Sequence, residues 1–332
     1  MSLSPSYIYY LVRNRIRGAV KGLKVDNINR KQILATYCDK SAGENKGQKT
    51  VIFMCDGKIY HGGLADRLRG LVTVYQACKR ANVKFRINFS HPFDLHNYLL
   101  PNTYDWEIDN ADILYNTHDS IPIVYHQCSP YLPFADKFYR QIKRLKFKQI
   151  HYYTNSNNSY KYDFATNFNE LFKPSQTLQK LIDTETQQIG SNYIALHFRF
   201  YKLLDDFNEV YGVALQSEKE REELIEKCLA EMLRLKERFA DCKKFLVCSD
   251  SEKFIAAARK FPFVYVVDGA IIHSGNTDDS DFNAHLKTFL DFYLISKSDR
   301  VIALTTGRMA LYSGFPYCAS LVGNVEFERD IF

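Results

Sequence analysis

The sequence predicts an α/β protein made of two doubly wound domains with parallel sheets. Three observations predict it. Short apolar runs of strand length alternate with helical periodicity in both halves of the chain. Glycine-rich or hydroxyl-rich breaks follow several of those runs, where the loops of an open parallel sheet fall. At 332 residues, 46% apolar and 25% charged, the chain has material for two packed cores and a normal polar surface.

The first segment, residues 1–47, is read as a basic helix and a linker. Met1 to Val25 carries Arg13, Arg15, Arg17, Lys21 and Lys24 with no acid, set among Ile8, Tyr9, Leu11, Val12, Ile16, Val20 and Leu23. Such a helix rests on an anionic membrane surface or packs on its own domain with a solvated basic face. Its arginines interrupt the apolar run that a signal peptide needs. Nor does any run of about 18 apolar residues, enough to span a bilayer, occur elsewhere. Ser41 to Gln48 is a polar linker.

Residues 48–187 form the expected first α/β domain, on the acceptor side. Thr50–Cys55 reads as a buried strand, Gly62-Gly63 breaks the chain, Leu64–Ala81 has helical spacing, and Val83–Phe89 returns as a strand. Strand, glycine loop, helix and strand make a βαβ unit. Beyond it, Ile121–Tyr125 reads as a strand, Pro133–Leu145 as a helix and Thr154–Tyr160 as a polar loop. Residues 188–332 form the expected nucleotide-sugar domain. Its strands are Tyr193–Phe198, Lys244–Cys248, Phe263–Val267 and Arg300–Leu304. Its helices are Glu218–Ala240, Ser251–Lys260, Phe282–Ser296 and one starting near Met309. Two Rossmann-like domains of this kind facing a cleft make the architecture called GT-B.

The eight cysteines stand singly, with no C-x-x-C pair, so reduced thiols in a cytosolic setting are expected and no zinc site is read. The 23 Tyr and 24 Phe fit ordinary packing and also the aromatic faces that contact sugars.

Four strand-end loops carry the candidate chemistry. His61-Gly62-Gly63-Leu64-Ala65-Asp66-Arg67 places two glycines before a helix N-terminus, where free amides attract anions. It lacks the later glycine of a dinucleotide fingerprint and the lysine of a P-loop, which disfavours a nicotinamide enzyme. His197-Phe198-Arg199-Phe200 ends a strand with a guanidinium able to grip a pyrophosphate in two places, while a histidine in an apolar strand is more often a satisfied core residue than a ligand. In Cys248-Ser249-Asp250-Ser251, Asp250 is either a helix N-cap or a pocket acid. Thr305-Thr306-Gly307-Arg308 offers hydroxyls, amides and a guanidinium at an expected helix start, a plausible phosphate cradle.

In order and spacing these motifs, with Leu290-Asp291-Phe292 ahead of the last, resemble the superfamily of α1,2-, α1,6- and protein O-fucosyltransferases over roughly residues 50 to 325. Bacterial proteins of the nodulation-fucosyltransferase type are the nearest likeness. The resemblance implies a metal-independent, inverting transfer of fucose from GDP-fucose to a glycan, with no cofactor beyond that donor substrate. It puts Arg199 on the donor diphosphate, His197 and Asp291 near the guanine, and Asp250 in the nucleotide pocket. Thr305, Thr306 and Gly307 then lie at the phosphates, with Gly62 and Gly63 in the facing loop. Many relatives carry a second arginine where this chain has Phe200, and Arg308 is the residue that would replace its charge. Asp66 and His61 are the candidate bases for the acceptor hydroxyl, with Asp94 and His96 behind them.

Other readings stay open. Another nucleotide sugar would suit the same fold, as would a non-catalytic carbohydrate- or nucleotide-binding protein. Asp278-Asp279-Ser280-Asp281 contains the D-x-D of metal-dependent transferases but precedes a helix, where it reads as an N-cap cluster, so no metal is expected. Nucleic acid is disfavoured because the basic charge is concentrated near the N-terminus. The expected partners are a nucleotide-sugar donor and a glycan acceptor, such as a bacterial surface polysaccharide or a lipid-linked oligosaccharide. The expected setting is the cytoplasm, with peripheral contact to the inner membrane face through the basic helix.

Overall fold

The computed structural model describes residues 25–37, 48–125, 134–155, 164–207, 212–275 and 280–332. The expected basic helix over residues 1–24 and nearly all of the polar linker lie outside the described residues. Residues 25–34 are helical, and Ile33 and Tyr37 bury into a cluster with Ile52, Met54 and Tyr153.

The elements run in chain order as β1 (Thr50–Cys55), α1 (Leu64–Ala81), β2 (Lys84–Phe89), β3 (Leu99–Pro101), β4 (Ser120–Tyr125), α2 (Phe134–Arg144), β5 (Gln149–Thr154), α3 (Phe164–Leu171) and β6 (Phe172–Pro174). There follow α4 (Gln176–Ile189), β7 (Tyr193–Phe198), α5 (Glu218–Arg238), β8 (Lys244–Ser249), α6 (Glu252–Ala258), β9 (Val264–Tyr265), α7 (Phe282–Ser296), β10 (Arg300–Thr305), α8 (Gly314–Gly323) and β11 (Glu326–Ile331). The chain divides into two compact units, Met1–His91 with Pro101–Leu171, and Pro92–Leu100 with Phe172–Phe332.

The first unit holds a parallel sheet in the order β2-β1-β5-β4. Val51 to Cys55 are all buried, as a central parallel strand covered on both faces requires. Helix α1 ends on Asn82 in the left-handed conformation (φ 53°), a polar residue that tolerates it. Within α1, Gly70 lets the helix lie directly on the end of β5, since a Cβ there would come 2.3 Å from the Thr154 carbonyl oxygen. Successive strands build outward from β1 to β2, then return on the other side through β4 and β5. The reversal between β1 and β5 is this unit's topological switch point.

The second unit holds a parallel sheet in the order β11-β10-β7-β8-β9. One face packs Ile194, Leu196 and Phe198 of β7, Phe245 and Val247 of β8, and Ile302 and Leu304 of β10 against Leu224, Cys228, Met232 and Leu235 of α5. Alternation along each strand turns Ala195, His197, Leu246, Cys248 and Ala303 to the opposite face. Helix α5 starts with a capping box between Ser217 and Glu220. The switch point lies between β7 and β10, where Ala303 pairs with His197 in register. Residues 92–100 belong to this unit: Tyr98 stacks on Phe282 and Phe289 of α7, and Phe93 meets Phe289 edge-on.

The structure adds β3, β5, β6, β11, α3 and α4, and trims the Phe263–Val267 strand to two residues. The last helix begins at Gly314, not near Met309. Met309 is drawn instead into the α5 core, its sulfur 3.8 Å from that of Cys228. The six described cysteines, Cys55, Cys78, Cys228, Cys242, Cys248 and Cys318, are buried and form no disulfide.

Candidate functional site

In open α/β sheets, ligands bind beyond the carboxyl ends of the strands at the switch point. At the second unit's switch point the first residue past β7 is Arg199. Its guanidinium lies 3.2 Å from the Asp250 carboxylate and is flanked by the Tyr201 ring at 5.0 Å and the Phe207 ring at 5.1 Å. The side chain is 18% exposed. A planar cation held between two aromatic faces and an acid is fixed in direction before any ligand arrives.

Asp250 does more than pair with it. The Phe200 amide donates to one Asp250 oxygen (2.7 Å) and the Tyr201 amide to the other (2.8 Å), so this buried carboxylate folds the turn that carries Arg199. Burial pushes its pKa up, opposed by Arg199 and those amides. The N-cap of α6 is Ser251, which accepts from the Phe254 amide, so the N-cap reading of Asp250 is corrected. Tyr201 sits at φ 57°, a left-handed residue that this clamp maintains. Asp206 closes the other side of the turn by accepting from the Ser251 hydroxyl (2.7 Å) and the Lys253 amide (2.9 Å).

His197 is buried, its ring 6.0 Å from that of Phe315. Its Nδ1 has no hydrogen-bond partner of good geometry among the described residues. Burial, with Arg199 adding repulsion, pushes its pKa down to about 3, so it is a neutral imidazole at physiological pH. Asp291, on α7, is also buried, and the Lys287 ammonium one turn earlier holds both of its oxygens, at 3.1 and 2.9 Å. Burial, with the nearby Asp291 carboxylate adding to it, pushes up the thiol pKa of Cys248, which is next to His197 in the sheet register. Lys287 was missed in the sequence because a lysine four residues before an aspartate usually reads as a surface pair.

The β10 loop is tied to this turn by the Ala310 amide, which donates to the Arg199 carbonyl (3.1 Å). Thr305 and Thr306 are buried, and the Thr306 hydroxyl accepts from the Arg308 amide (3.2 Å). Gly307 is exposed with nothing within 4 Å of where a Cβ would stand. Arg308, 61% exposed, lies 3.8 Å from Glu220 at the start of α5. The expected helix N-terminus is therefore not at Thr305–Arg308. It is at Ser313-Gly314-Phe315, where the Ser313 side chain makes no capping bond and Phe315 stacks near His197. Their open amides supply the positive end of a helix dipole.

The first unit's loop is built differently. Gly62 has φ 75°, and a Cβ there would meet the Asp66 carboxylate at 2.7 Å. Arg67 is buried and donates to the Gly62 carbonyl (2.9 Å), the His91 carbonyl (2.7 Å) and the Cys55 sulfur (2.9 Å). Asp66 pairs with Arg69 and not with Arg67; its side chain is 38% exposed. His61 is buried between Phe53 and Tyr153. Gly63 begins α1 with no side-chain cap. Sequence reading overlooked Asp56, an acid at the end of β1 that accepts from the Tyr153 hydroxyl (3.2 Å) and pairs with Lys58. Asp94 and His96 belong to the second unit, where Asp94 caps a short turn and accepts from the His96 amide and ring.

Among the described residues no group of three or more His, Cys, Asp or Glu could hold a metal ion. Asp281 of the D-x-D stretch caps α7 by accepting from the Asn283 amide, while Asp278 and Asp279 lie outside the described residues.

No family model matches the chain, and no curated protein does. Solved structures do. NodZ α-1,6-fucosyltransferase soaked with GDP-fucose is similar over 83% of this chain and 93% of its own, with a TM-score of 0.52 at 14% identity. Fucosyltransferase NodZ from Bradyrhizobium gives 0.51 at 14% identity, over 83% and 94% of the two chains. POFUT1 in complex with GDP-fucose gives 0.50 at 8% identity, over 88% and 99%. The chain thus has the fold of the NodZ and POFUT1 structures.

Proposed function

We propose that the chain is an inverting, metal-independent glycosyltransferase that moves fucose from GDP-fucose to a glycan acceptor. The observation that carries this reading is Arg199, clamped by Asp250 and two aromatic rings at the switch point of the second unit. The shared fold supports it, because the NodZ and POFUT1 structures were obtained with GDP-fucose. As the glycosidic bond breaks, the departing nucleoside diphosphate gains negative charge. Arg199 and the open amides at the start of α8 stabilise that charge without having to reorient. Arg308 contributes at the rim of this site, in place of a second arginine after Arg199. In the first unit Asp66 is the candidate base, since its carboxylate reaches solvent, whereas His61 is enclosed by rings.

No helix among the described residues is long and apolar enough to cross a membrane. The basic segment before residue 25 is the proposed contact with an anionic inner membrane face, near a polysaccharide or lipid-linked acceptor.

Thermal unfolding with EDTA present tests the donor. GDP and GDP-fucose are expected to raise Tm by mass action, and UDP and dTDP compounds to do so far less. Arg199→Lys keeps a cation beside Asp250 but removes the planar fork, and is expected to weaken GDP binding roughly tenfold or more. Stabilisation by UDP or dTDP sugars alone would contradict the donor assignment, and no response to any nucleotide would contradict the enzyme reading.

A further inference from the structure

We infer that Lys287, not Asp291 alone, is the group that reads the nucleobase, and that the site selects a keto edge instead of a pair of N–H donors. This rests on the nucleotide reading of the second unit's crevice and specifies its base.

Buried polar groups nearly always find partners, so a cluster of incompletely satisfied ones calls for a missing ligand. On the sheet face that carries Cys248, two such groups converge. His197 Nδ1 has no good partner among the described residues. Lys287 is 4% exposed, and its ammonium carries three donors, yet Asp291 is its only acceptor among the described residues. They are linked through Cys248, which neighbours His197 in register and lies near the Asp291 carboxylate on the face where α7 packs on β8.

Helix α7 precedes β10 and returns the chain to the amino end of that parallel strand, so its first turns lie toward the carboxyl edge. Lys287, one turn before Asp291, is therefore the nearer of the two to the crevice. Gly269, at φ 131°, packs on its stem: a Cβ there would stand 3.0 Å from the Lys287 Cβ, so the loop after β9 holds the side chain in place.

The near-equal distances from the Lys287 nitrogen to the two Asp291 oxygens put the ammonium across the mouth of the carboxylate. A guanine N1–H and N2–H₂ pair would need that same mouth. With the lysine there, the ligand meets an N–H donor and must offer an acceptor, which is O6 of a 6-oxopurine. Asp291 keeps the cation in position and has lone pairs left for one neighbouring N–H. The exocyclic 2-amino group then contributes little.

The experiment is calorimetric titration of the full chain with GDP, IDP and ADP, repeated on Lys287→Met. The wild-type protein is expected to bind GDP and IDP within about threefold of each other and ADP at least about tenfold more weakly, the scale of one hydrogen bond to a charged group. Lys287→Met frees the carboxylate to accept from N1–H and N2–H₂, so the preference for GDP over IDP should rise about tenfold or more. A wild-type protein that already prefers GDP to IDP tenfold overturns the inference and leaves the donor reading intact. So does a GDP-to-IDP ratio that Lys287→Met does not change. Binding of none of the three overturns both. The wild-type panel decides the question even where the variant fails to fold.

Discussion

The two units carry related devices, a parallel sheet that reverses its winding and an arginine placed beyond the end of a strand, and they use them in opposite ways. In the first unit Arg67 turns inward. Its donors meet two carbonyls and a thiol, and its side chain is 2% exposed. It ties the Gly62 loop to the end of β1 and the turn after β2. In the second unit Arg199 turns outward at 18% exposure, held from behind by Asp250 and from both sides by rings. Two residues before it His197 keeps a nitrogen without a partner of good geometry, and on the same sheet face the Lys287 ammonium is held by Asp291 alone among the described residues. An arginine completed by its own chain is architecture, and an arginine set among incomplete neighbours marks a place for a ligand.

The contrast can be broken by substitution. Arg67→Ala removes a buried side chain and leaves carbonyls without donors, so it should destabilise the protein by on the order of 3 kcal/mol, seen as a lower urea midpoint with an unchanged slope. An effect under about 1 kcal/mol would mean the loop does not depend on this residue.

Acid should act on both units. Burial pushes His151 down to about 3 in the first unit, where Tyr37 and Gln149 hold its ring, and pushes His197 to about 3 in the second. The unfolded chain protonates these imidazoles near 6.5 while the folded one does not. Their stabilising contribution is therefore complete above that pH and is lost as pH falls from about 6.5 toward 3, each costing about 1.4 kcal/mol per pH unit. Chemical denaturation at pH 7 and pH 5 reads the slope, and His197→Gln should remove one histidine's share of it. An unchanged slope in that variant would contradict the buried neutral histidine.

Asp250→Asn keeps the shape but retains only one acceptor for two amides. It should cost about 1–2 kcal/mol and weaken GDP binding through a loosened Arg199 turn, with Arg199 itself untouched. A full-strength GDP response would show that the clamp does not set the arginine.

The smallest effects separate two glycines. Gly62→Ala forces a side chain into a left-handed position against Asp66 and should cost about 1–2 kcal/mol. Gly307→Ala enters open space and should stay within about 0.5 kcal/mol.

How much of this was legible beforehand follows the range of the interactions. The Leu64–Ala81 and Phe282–Ser296 helices and the β1, β7, β8 and β10 strands were readable because their periodicity is local. So were the glycine turn and the strand-end arginine. Strand β5 was lost because Gln149, His151 and three aromatic or hydroxyl residues do not look like a buried run, although every residue from Gln149 to Thr154 is buried. Its polar members satisfy one another, as when His151 bonds to Tyr37 and Gln149. The roles of Arg67, Asp250 and Lys287 depend on partners brought together by folding. Sequence could name Asp250 and Asp291, yet not that the first would fold a turn and the second would be masked by a lysine. The misplaced last helix has the same origin, since only the three-dimensional core shows that Met309 is claimed by α5.

Hydrogen exchange of the full chain with and without saturating GDP tests the central claim most directly. The second unit's crevice should gain protection at Phe200 and Tyr201, through 305–310 and at the start of α8, while residues 56–69 of the first unit exchange as before. Protection confined to 56–69, or none at either crevice, would contradict it.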